Sequence, residues 1–132
     1  MKETIILHHI FNTSPTELYN AWLDSETHSE MTGGEAICSM SEGESFSTWD
    51  EYITGKNITL TPNKEIIQTW RTSEFSYEDE DSILKIRLQE TTDGTELTIH
   101  HSNIPEGQLQ YTNGWKEHYF EPMTAYFNKK SN

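Results

Sequence analysis

The stretch NGWKEHYFEPMTAYF at residues 113–127 decides the fold, because it gives one long helix an aromatic side in an otherwise acidic chain. In and around it, large apolar residues recur at helical spacing: Tyr111, Trp115, Tyr119, Phe120, Met123, Tyr126 and Phe127. This spacing predicts an amphipathic helix from about residue 108 to about residue 129. Pro122 lies inside the pattern and cannot bond the carbonyl of His118, so we expect a kink there.

Short alternating segments separated by turn residues fill the middle of the chain. The segments are EAICSM, ESFSTWDEYI, KNITLTP, KEIIQTWR, SILKIRLQET and GTELTIHHS, and the turns fall at Gly43–Glu44, Thr54–Gly55, Pro62–Asn63 and Asp93–Gly94. Alternation broken by such turns is typical of an antiparallel meander. The link SEFSYEDED carries an acidic run, for which we expect a solvated loop.

The N-terminal part predicts a strand followed by a short helix. Residues 4–11, TIILHHIF, are rich in β-branched side chains, as strands are. Ser14, Pro15 and Glu17 form a capping box, which begins a helix whose pattern breaks near Asp24. The whole order therefore predicts an α+β fold, in which one antiparallel sheet carries the helices on one face.

Length and charge limit the class of protein. A chain of 132 residues without repeats or linkers is expected to form one domain, residues 1–132. Its net charge of −13 argues against nucleic acid and membranes as partners. Cys38 is the only cysteine, which fits a reducing cytoplasm and a buried structural thiol. Without a signal-peptide pattern or an apolar run of about 18 residues, we expect a cytoplasmic protein.

Four stretches together carry a likeness to a known family. They are FNTSPTELYNAW, MTGGEAICSMSEGESFSTWDEYITGKNITLTPNKEIIQTWR, DGTELTIHHSNIP and NGWKEHYFEPMTAYF, which reach from Phe11 to Phe127. In their order and spacing they resemble the Activator of Hsp90 ATPase homologue 1-like family, within the START-like or Bet v 1-like helix-grip superfamily. The chain departs from the family where Glu51 replaces a common glycine and where Glu44 follows Gly43. The resemblance implies a curved sheet of about six to seven strands wrapped around the C-terminal helix.

The resemblance also implies a cavity between sheet and helix, suited to a small apolar or amphipathic ligand. The ligand-binding residues that we predict are Trp49, Trp70, His101, Tyr111, Trp115, Tyr119 and Met123. The other inward positions of the strands are Ile37, Phe46, Trp49 or Tyr52, Ile86, Leu88, Leu97 and Ile99. The alternative is a filled core. Four aromatic residues of the helix carry an O–H or N–H that a sealed core must satisfy, which favours a partly hydrated pocket.

Histidines occupy the first and last predicted strands. If these strands pair as the resemblance implies, alternation brings His9 and His101 together inside and His8 and His100 together outside. Two imidazoles are too few to hold zinc and no metal-binding motif is present, so no metal is expected. Three interpretations stay open: neutral imidazoles bonded to tyrosine or tryptophan, a proton donor to a ligand, and a pH-sensitive switch.

Three functions follow from these features. The first is non-catalytic binding of a small ligand, without a cofactor. The second is a protein-interaction module like the Hsp90-activating relatives, with a chaperone-type partner that offers a basic patch to the acidic surface. The third is a cyclase- or hydrolase-like enzyme using His101 with Tyr119 as acid and base; no nucleophile elbow or phosphate-binding loop supports it. The sequence leaves open whether the chain is a monomer or a homodimer.

Overall fold

The computed structural model describes residues 2–130, which contain six strands and a helical region near each end. The strands are β1 (Glu3–Phe11), β2 (Ser45–Thr48), β3 (Ile53–Thr61), β4 (Glu65–Thr72), β5 (Ser82–Thr91) and β6 (Gly94–Ile104). The N-terminal helices are α1 (Pro15–Leu23) and α2 (Ser25–Thr32). The C-terminal helix consists of α3 (Tyr111–Trp115), a π-helical turn (Lys116–Phe120) and α4 (Glu121–Lys130).

The six strands pair antiparallel in the order β1-β6-β5-β4-β3-β2. Each strand from β2 to β5 pairs with the next strand along the chain, as expected of a meander. Strand β1 pairs with β6, which brings the N-terminal strand beside the last one. The arrangement confirms the predicted α+β helix-grip fold, with a curved sheet and a long C-terminal helix.

The capping box at Ser14 is present, and a second helix follows the first. Ser14 Oγ accepts a hydrogen bond from the Glu17 N–H at 3.1 Å. Helix α1 ends at Leu23 with Asp24 as its C-cap, as predicted, but the second helix was not predicted: the Asp24 carboxylate caps α2 by accepting from the Thr27 N–H at 3.0 Å. Gly33, with φ at 89°, then ends α2 in the left-handed conformation.

Three details of the predicted meander are wrong. The segment ESFSTWDEYI is not one strand, because β2 ends at Thr48 and a turn over residues 49–52 separates it from β3. The segment EAICSM is not a strand: Ile37 forms only an isolated bridge with Ser47, and its side chain is exposed rather than inward. Thr54–Gly55 is not a turn, because both residues lie inside β3. A Cβ on Gly55 would lie 1.9 Å from the Thr69 carbonyl oxygen, so glycine is required here by the close approach of a neighbouring strand.

The long helix begins at Tyr111 rather than near residue 108, and its regularity is broken just before Pro122. The Glu121 N–H bonds to the Lys116 carbonyl, five residues earlier, in the π-helical turn. Pro122 has no N–H, so it cannot form the next α-helical hydrogen bond. The π-helical turn therefore lies directly before the position where α-helical bonding is interrupted. The disturbance predicted at Pro122 therefore takes the form of this turn.

The aromatic side of the C-terminal helix packs against the sheet and α1. The buried residues of this helix are Tyr111, Trp115, Tyr119, Phe120, Met123 and Phe127, whereas Tyr126 is only partly buried. Trp22 of α1 stacks on Trp115 with 6.2 Å between ring centroids. The inward strand positions Phe46, Trp70, Ile86, Leu88, Leu97 and Ile99 are buried, as predicted. Among residues 2–130, no helix has the length and apolar character needed to cross a membrane.

Candidate functional site

A pocket of about 500 Å³ lies between the first half of the C-terminal helix, the β2–β3 turn and strands β3 and β4. Six of its lining side chains are aromatic: Trp49, Tyr52, Trp70, Tyr111, Trp115 and Tyr119. Glu117 and His118 also line it and are exposed, so they stand at its mouth. One part of the aromatic helix face therefore packs in the core, and another part lines the pocket.

The aromatic walls of the pocket support one another. Trp70 of β4 has its ring centroid 4.9 Å from Tyr111 and 5.7 Å from Trp115. Trp115 is in turn 4.8 Å from Tyr119, which lies one helical turn further along. Rings in such edge-on and tilted contacts attract one another and hold fixed positions in a close-packed interior. The wall is therefore preformed.

The turn between β2 and β3 closes one side of the pocket in an unusual backbone conformation. Trp49, Asp50 and Glu51 have positive φ, at 54°, 57° and 71°. This left-handed region costs a residue with a side chain about 1–2 kcal/mol, and Glu51 is the position where the family often has glycine. The Trp49 indole lies against Gly34, where a Cβ would come within 2.3 Å of the ring. Gly34 thus makes room for the indole that the strained turn presents.

A buried histidine absent from the sequence-based predictions lies behind Tyr119. His28 of α2 bonds through Nδ1 to the Trp22 carbonyl at 2.8 Å and through Nε2 to the Tyr119 hydroxyl at 3.2 Å. Because a carbonyl only accepts, Nδ1 carries the proton. Burial lowers the pKa of His28 to about 4, so the imidazole is neutral and its unprotonated Nε2 faces the Tyr119 hydroxyl.

Tyr119 and Trp49 bring polar atoms to the pocket wall. The Tyr119 hydroxyl also lies 3.2 Å from Thr48 Oγ1, and burial raises the pKa of this phenol, so it stays protonated. Trp49 Nε1 is buried and lies beside the Tyr119 hydroxyl, where it acts to lower the pKa of that phenol against the larger effect of burial. An indole N–H can only donate, and a buried donor without a partner costs about 1–3 kcal/mol. The Tyr119 hydroxyl can accept from this N–H, so the two polar atoms lie together inside the protein.

His101 lies behind the pocket and fixes two of its tryptophans. Trp115 Nε1 donates to His101 Nδ1 at 3.2 Å, and His101 Nε2 lies 2.8 Å from Ser82 Oγ. Ser82 Oγ itself donates to the Trp70 carbonyl at 2.6 Å, so Nε2 carries the proton shared with Ser82. Burial lowers the pKa of His101 to about 3, which keeps the imidazole neutral. The interpretation as a neutral imidazole bonded to tyrosine or tryptophan is confirmed for this residue.

The predicted pairing of the inner histidines is wrong. In the register of β1 with β6, His9 lies opposite Leu97 and His101 lies opposite Ile5, so the two imidazoles do not meet. His9 Nε2 bonds instead to Thr124 Oγ1 of the C-terminal helix at 2.8 Å. Alternation alone places the two rings on the same face of the sheet. The observed antiparallel register separates them by four residues along the strand.

The outer histidines do not pair either, and no metal cluster is present in the described chain. His8 lies opposite Thr98 rather than His100, and its Nδ1 is 3.0 Å from Thr98 Oγ1. Within residues 2–130, no group of three or more His, Cys, Asp or Glu side chains could hold a metal ion.

The side chains considered for catalysis are not arranged for it. His101 bonds to Trp115, so the acid–base pair of His101 with Tyr119 is not formed. Cys38 is half-buried, and burial followed by the charge of Asp24 raises the pKa of its thiol to about 11. A thiol in that state is a poor nucleophile, because the thiolate is the reactive form.

Five of the seven predicted ligand-binding residues line the pocket: Trp49, Trp70, Tyr111, Trp115 and Tyr119. His101 and Met123 do not line it, because both are buried behind its wall. Alternation could have identified Thr48 and Thr72 as the inward threonines that bond to the Tyr119 and Tyr111 hydroxyls, because each lies two residues after a buried aromatic position on its strand. No sequence signal pointed to His28, because helix α2 was not predicted. A role of these residues in ligand binding stays a prediction.

Comparison with known proteins shows which family the chain matches. The model of the family described as Activator of Hsp90 ATPase homolog 1-like protein matches residues 12–128. A Dictyostelium discoideum protein named Activator of 90 kDa heat shock protein ATPase homolog is 28% identical in an alignment of 133 positions, which covers 98% of this chain but 34% of that protein. A Mus musculus relative, homolog 2, is 24% identical over 91% of this chain and 37% of its own length. The chain thus spans about a third of the curated relatives it matches.

Solved structures show the same fold. The crystal structure of an HSP90 activator from Plasmodium falciparum superposes with a TM-score of 0.81 at 22% identity, covering 97% of this chain and 96% of that one. The solution structure of the Aha1 dimer from Colwellia psychrerythraea gives a TM-score of 0.79 at 15% identity, covering 95% and 96%. At such identities the likeness establishes the fold and no more.

Proposed function

This chain belongs to the Activator of Hsp90 ATPase homolog 1-like family, and we propose that it binds a small, mostly apolar ligand in the pocket between its sheet and its C-terminal helix. The observation that carries the proposal is the preformed aromatic pocket of about 500 Å³. Small-molecule sites commonly have volumes of roughly 300–1,000 Å³ and apolar walls with a few polar groups. This pocket has that size and that composition.

The polar atoms of the wall favour an amphipathic ligand over a hydrocarbon. Gln110 and Asn113 line the pocket beside the rings, and their amides can bond to a polar group of the ligand. The Tyr119 hydroxyl lies on the same wall and is held in place by His28. An apolar body with one polar group would match both the rings and these amides.

Filling the pocket should abolish binding without disturbing the fold. Gly114 lines the pocket, and a Cβ built there meets no atom within 4 Å, so Gly114→Leu adds a side chain in open space. We expect the wild-type protein to bind the uncharged apolar dye Nile red, and Gly114→Leu to bind it at least about tenfold more weakly. Dye fluorescence titration measures both affinities, and thermal unfolding verifies that the variant is folded.

The matched control is Ala125→Leu, because Ala125 is exposed on α4 and does not line the pocket. It places the same leucine on the same helix and should leave dye binding unchanged. Native mass spectrometry of the wild-type protein, followed by denaturing extraction, would identify a co-purifying ligand and distinguish monomer from homodimer. Equal dye affinity in the two leucine variants would contradict the proposal.

A second candidate function is stimulation of a chaperone ATPase through a protein contact. Two observations favour it: the curated relatives that match nearly the whole chain are named as activators of the 90 kDa heat shock protein ATPase, and an HSP90 activator of similar extent shares the fold. The net charge of −13 would attract a basic patch of such a partner.

Steady-state ATPase rates of Hsp90 from the same organism test this second function. We expect this protein to raise the rate at low ionic strength and to lose most of that effect as salt screens the charged surfaces. Heat-denatured protein serves as the control for non-specific effects. A rate that is the same with and without the folded protein would refute a chaperone-activating role and leave the ligand proposal intact.

A further inference from the structure

The pocket that we propose as a ligand site is lined by six aromatic rings. Trp70, Trp115 and Tyr119 form one continuous wall, and Trp49 and Tyr52 face the mouth from the β2–β3 turn. The face of an aromatic ring carries negative electrostatic potential, so it attracts cations, and tryptophan does so most strongly. Several rings around one space are the arrangement that recognises quaternary ammonium groups.

Carboxylates strengthen this character at the mouth. Glu117 lines the pocket and is exposed. The Tyr52 hydroxyl donates to the Glu74 carboxylate, which shifts electron density towards the phenol ring and makes its face a better partner for a cation. Burial first, and the charge of Glu74 in addition, raises the pKa of Tyr111. The negative charge of Glu74 is therefore felt at two of the six rings.

No lysine or arginine lines the pocket in the described part of the chain. An anionic ligand, such as a carboxylate or a phosphate ester, would enter beside Glu117 without a lysine or arginine to pair with it. It would also meet the long-range field of a chain with net charge −13. His118 is the single imidazole at the mouth, where its ring packs edge-on against Trp49 with 5.5 Å between centroids. The site thus disfavours anions and favours cations.

We propose that the ligand of this pocket is an organic cation, an amine or quaternary ammonium group joined to an apolar body. The inference rests on the proposed ligand-binding function and specifies which charge the pocket selects. The apolar body would lie against Trp70 and Trp115, and the cationic group would lie among the rings near Glu117.

Three probes that share a phenethyl body and differ in charge test the selection. The probes are phenethyltrimethylammonium, its uncharged analogue with tert-butyl in place of trimethylammonium, and the anion phenylpropionate. Each competes with Nile red for the wild-type protein at low ionic strength. We expect the cation to displace the dye at a concentration about tenfold lower than the uncharged analogue, and the anion to be the weakest.

Two carboxylate variants locate the effect. Glu117→Gln should weaken the cation several-fold and leave the uncharged analogue unchanged. Glu121→Gln is the matched control, since Glu121 is exposed on the same helix and does not line this pocket. Both variants remove one negative charge from the chain, so a difference between them reports proximity to the bound cation rather than net charge.

The outcomes separate this inference from the function on which it rests. Preference for the cation that is lost in Glu117→Gln and kept in Glu121→Gln supports the inference. An uncharged analogue that binds as well as the cation, or an anion that binds best, overturns the inference while ligand binding stands. Failure of all three probes to displace bound dye also overturns it. If Nile red itself does not bind the wild-type protein, the proposed function and the inference both fail.

Discussion

Acidification from about pH 7.5 to about pH 5 is expected to lower the free energy of unfolding by about 4 kcal/mol, because His28 and His101 are buried as neutral imidazoles. Their pKa values in the folded chain are about 4 and about 3, below the ordinary value of 6.5. In this range the unfolded chain binds protons at both residues and the folded chain does not. The folded state is thus fully favoured above pH 6.5 and progressively less as the pH falls towards the folded pKa values.

Between about pH 7.5 and about pH 5, imidazoles take up protons and most carboxylates do not. Aspartate and glutamate side chains take up protons mainly below about pH 5. Asp24 does so at still lower pH, because hydrogen bonds from Thr27, the backbone one first, lower the pKa of its carboxyl group. Protonation also reduces the net charge of −13, which weakens repulsion within the folded chain. This effect would stabilise the fold on acidification, whereas protonation of the imidazoles in the unfolded chain destabilises it. A loss of stability in this window therefore reports the imidazoles whose pKa burial lowers, mainly His28 and His101, with the partly buried His9 acting in the same direction.

Urea unfolding at a series of pH values measures the effect. His101→Gln should be less stable than the wild type at neutral pH, because Ser82 and Trp115 lose their partner, yet its stability should depend less on pH. His100→Gln is the matched control, since His100 is the next residue and lies on the exposed face of β6. Wild-type stability that does not change with pH, or equal slopes for all three proteins, would count against this account.

Gly55→Ala is expected to destabilise the fold by about 3 kcal/mol, at the upper end of the range for overpacking. The new Cβ would lie 1.9 Å from the Thr69 carbonyl oxygen and 2.7 Å from the Phe46 ring. The oxygen belongs to the backbone of β4 and cannot rotate away as a side chain could. Relief requires β3 and β4 to separate, which weakens the strand pairing that also supports Trp70 in the pocket wall.

Gly114→Ala provides the comparison for the same chemical change. A Cβ at Gly114 meets nothing within 4 Å, and the residue lies in α3. Alanine in a helix is favoured over glycine by roughly 0.5–1 kcal/mol, so this variant should be slightly more stable than the wild type. Chemical denaturation measures the free energy of unfolding, which should fall in Gly55→Ala and rise slightly in Gly114→Ala. If Gly55→Ala matched the wild type, the close approach of β3 and β4 would not be a constraint on the fold.

The outline of the fold was predictable because it depends on local patterns. Residues recurring every four positions define one side of a helix whatever lies beside it, so Trp115, Tyr119 and Met123 could be assigned to a buried face. Capping at Ser14 is likewise a contact between residues three apart. Gly55 misled the prediction because glycine serves both turns and close strand approaches, and only the neighbouring strand distinguishes them.

The histidine environments were not predictable for a related reason. Alternation correctly places His101 inside, but its partner on β1 depends on the register, which is set by both strands together. His28 was overlooked because α2 is a short helix with a weak apolar pattern. Its contact with Tyr119 joins residues 91 positions apart, so no spacing within the sequence reveals it.

By itself, the sequence determined an antiparallel α+β fold with an aromatic C-terminal helix face, because periodicity and turn chemistry act over a few residues. The tertiary structure decided the question that the aromatic stretch raised, namely whether this face fills a core or lines a pocket. It does the first around Met123 and the second around Trp115. The reason is that a pocket is a gap between elements. Its presence depends on the relative positions of the strained turn at Trp49 and the C-terminal helix. No local sequence pattern determines those positions.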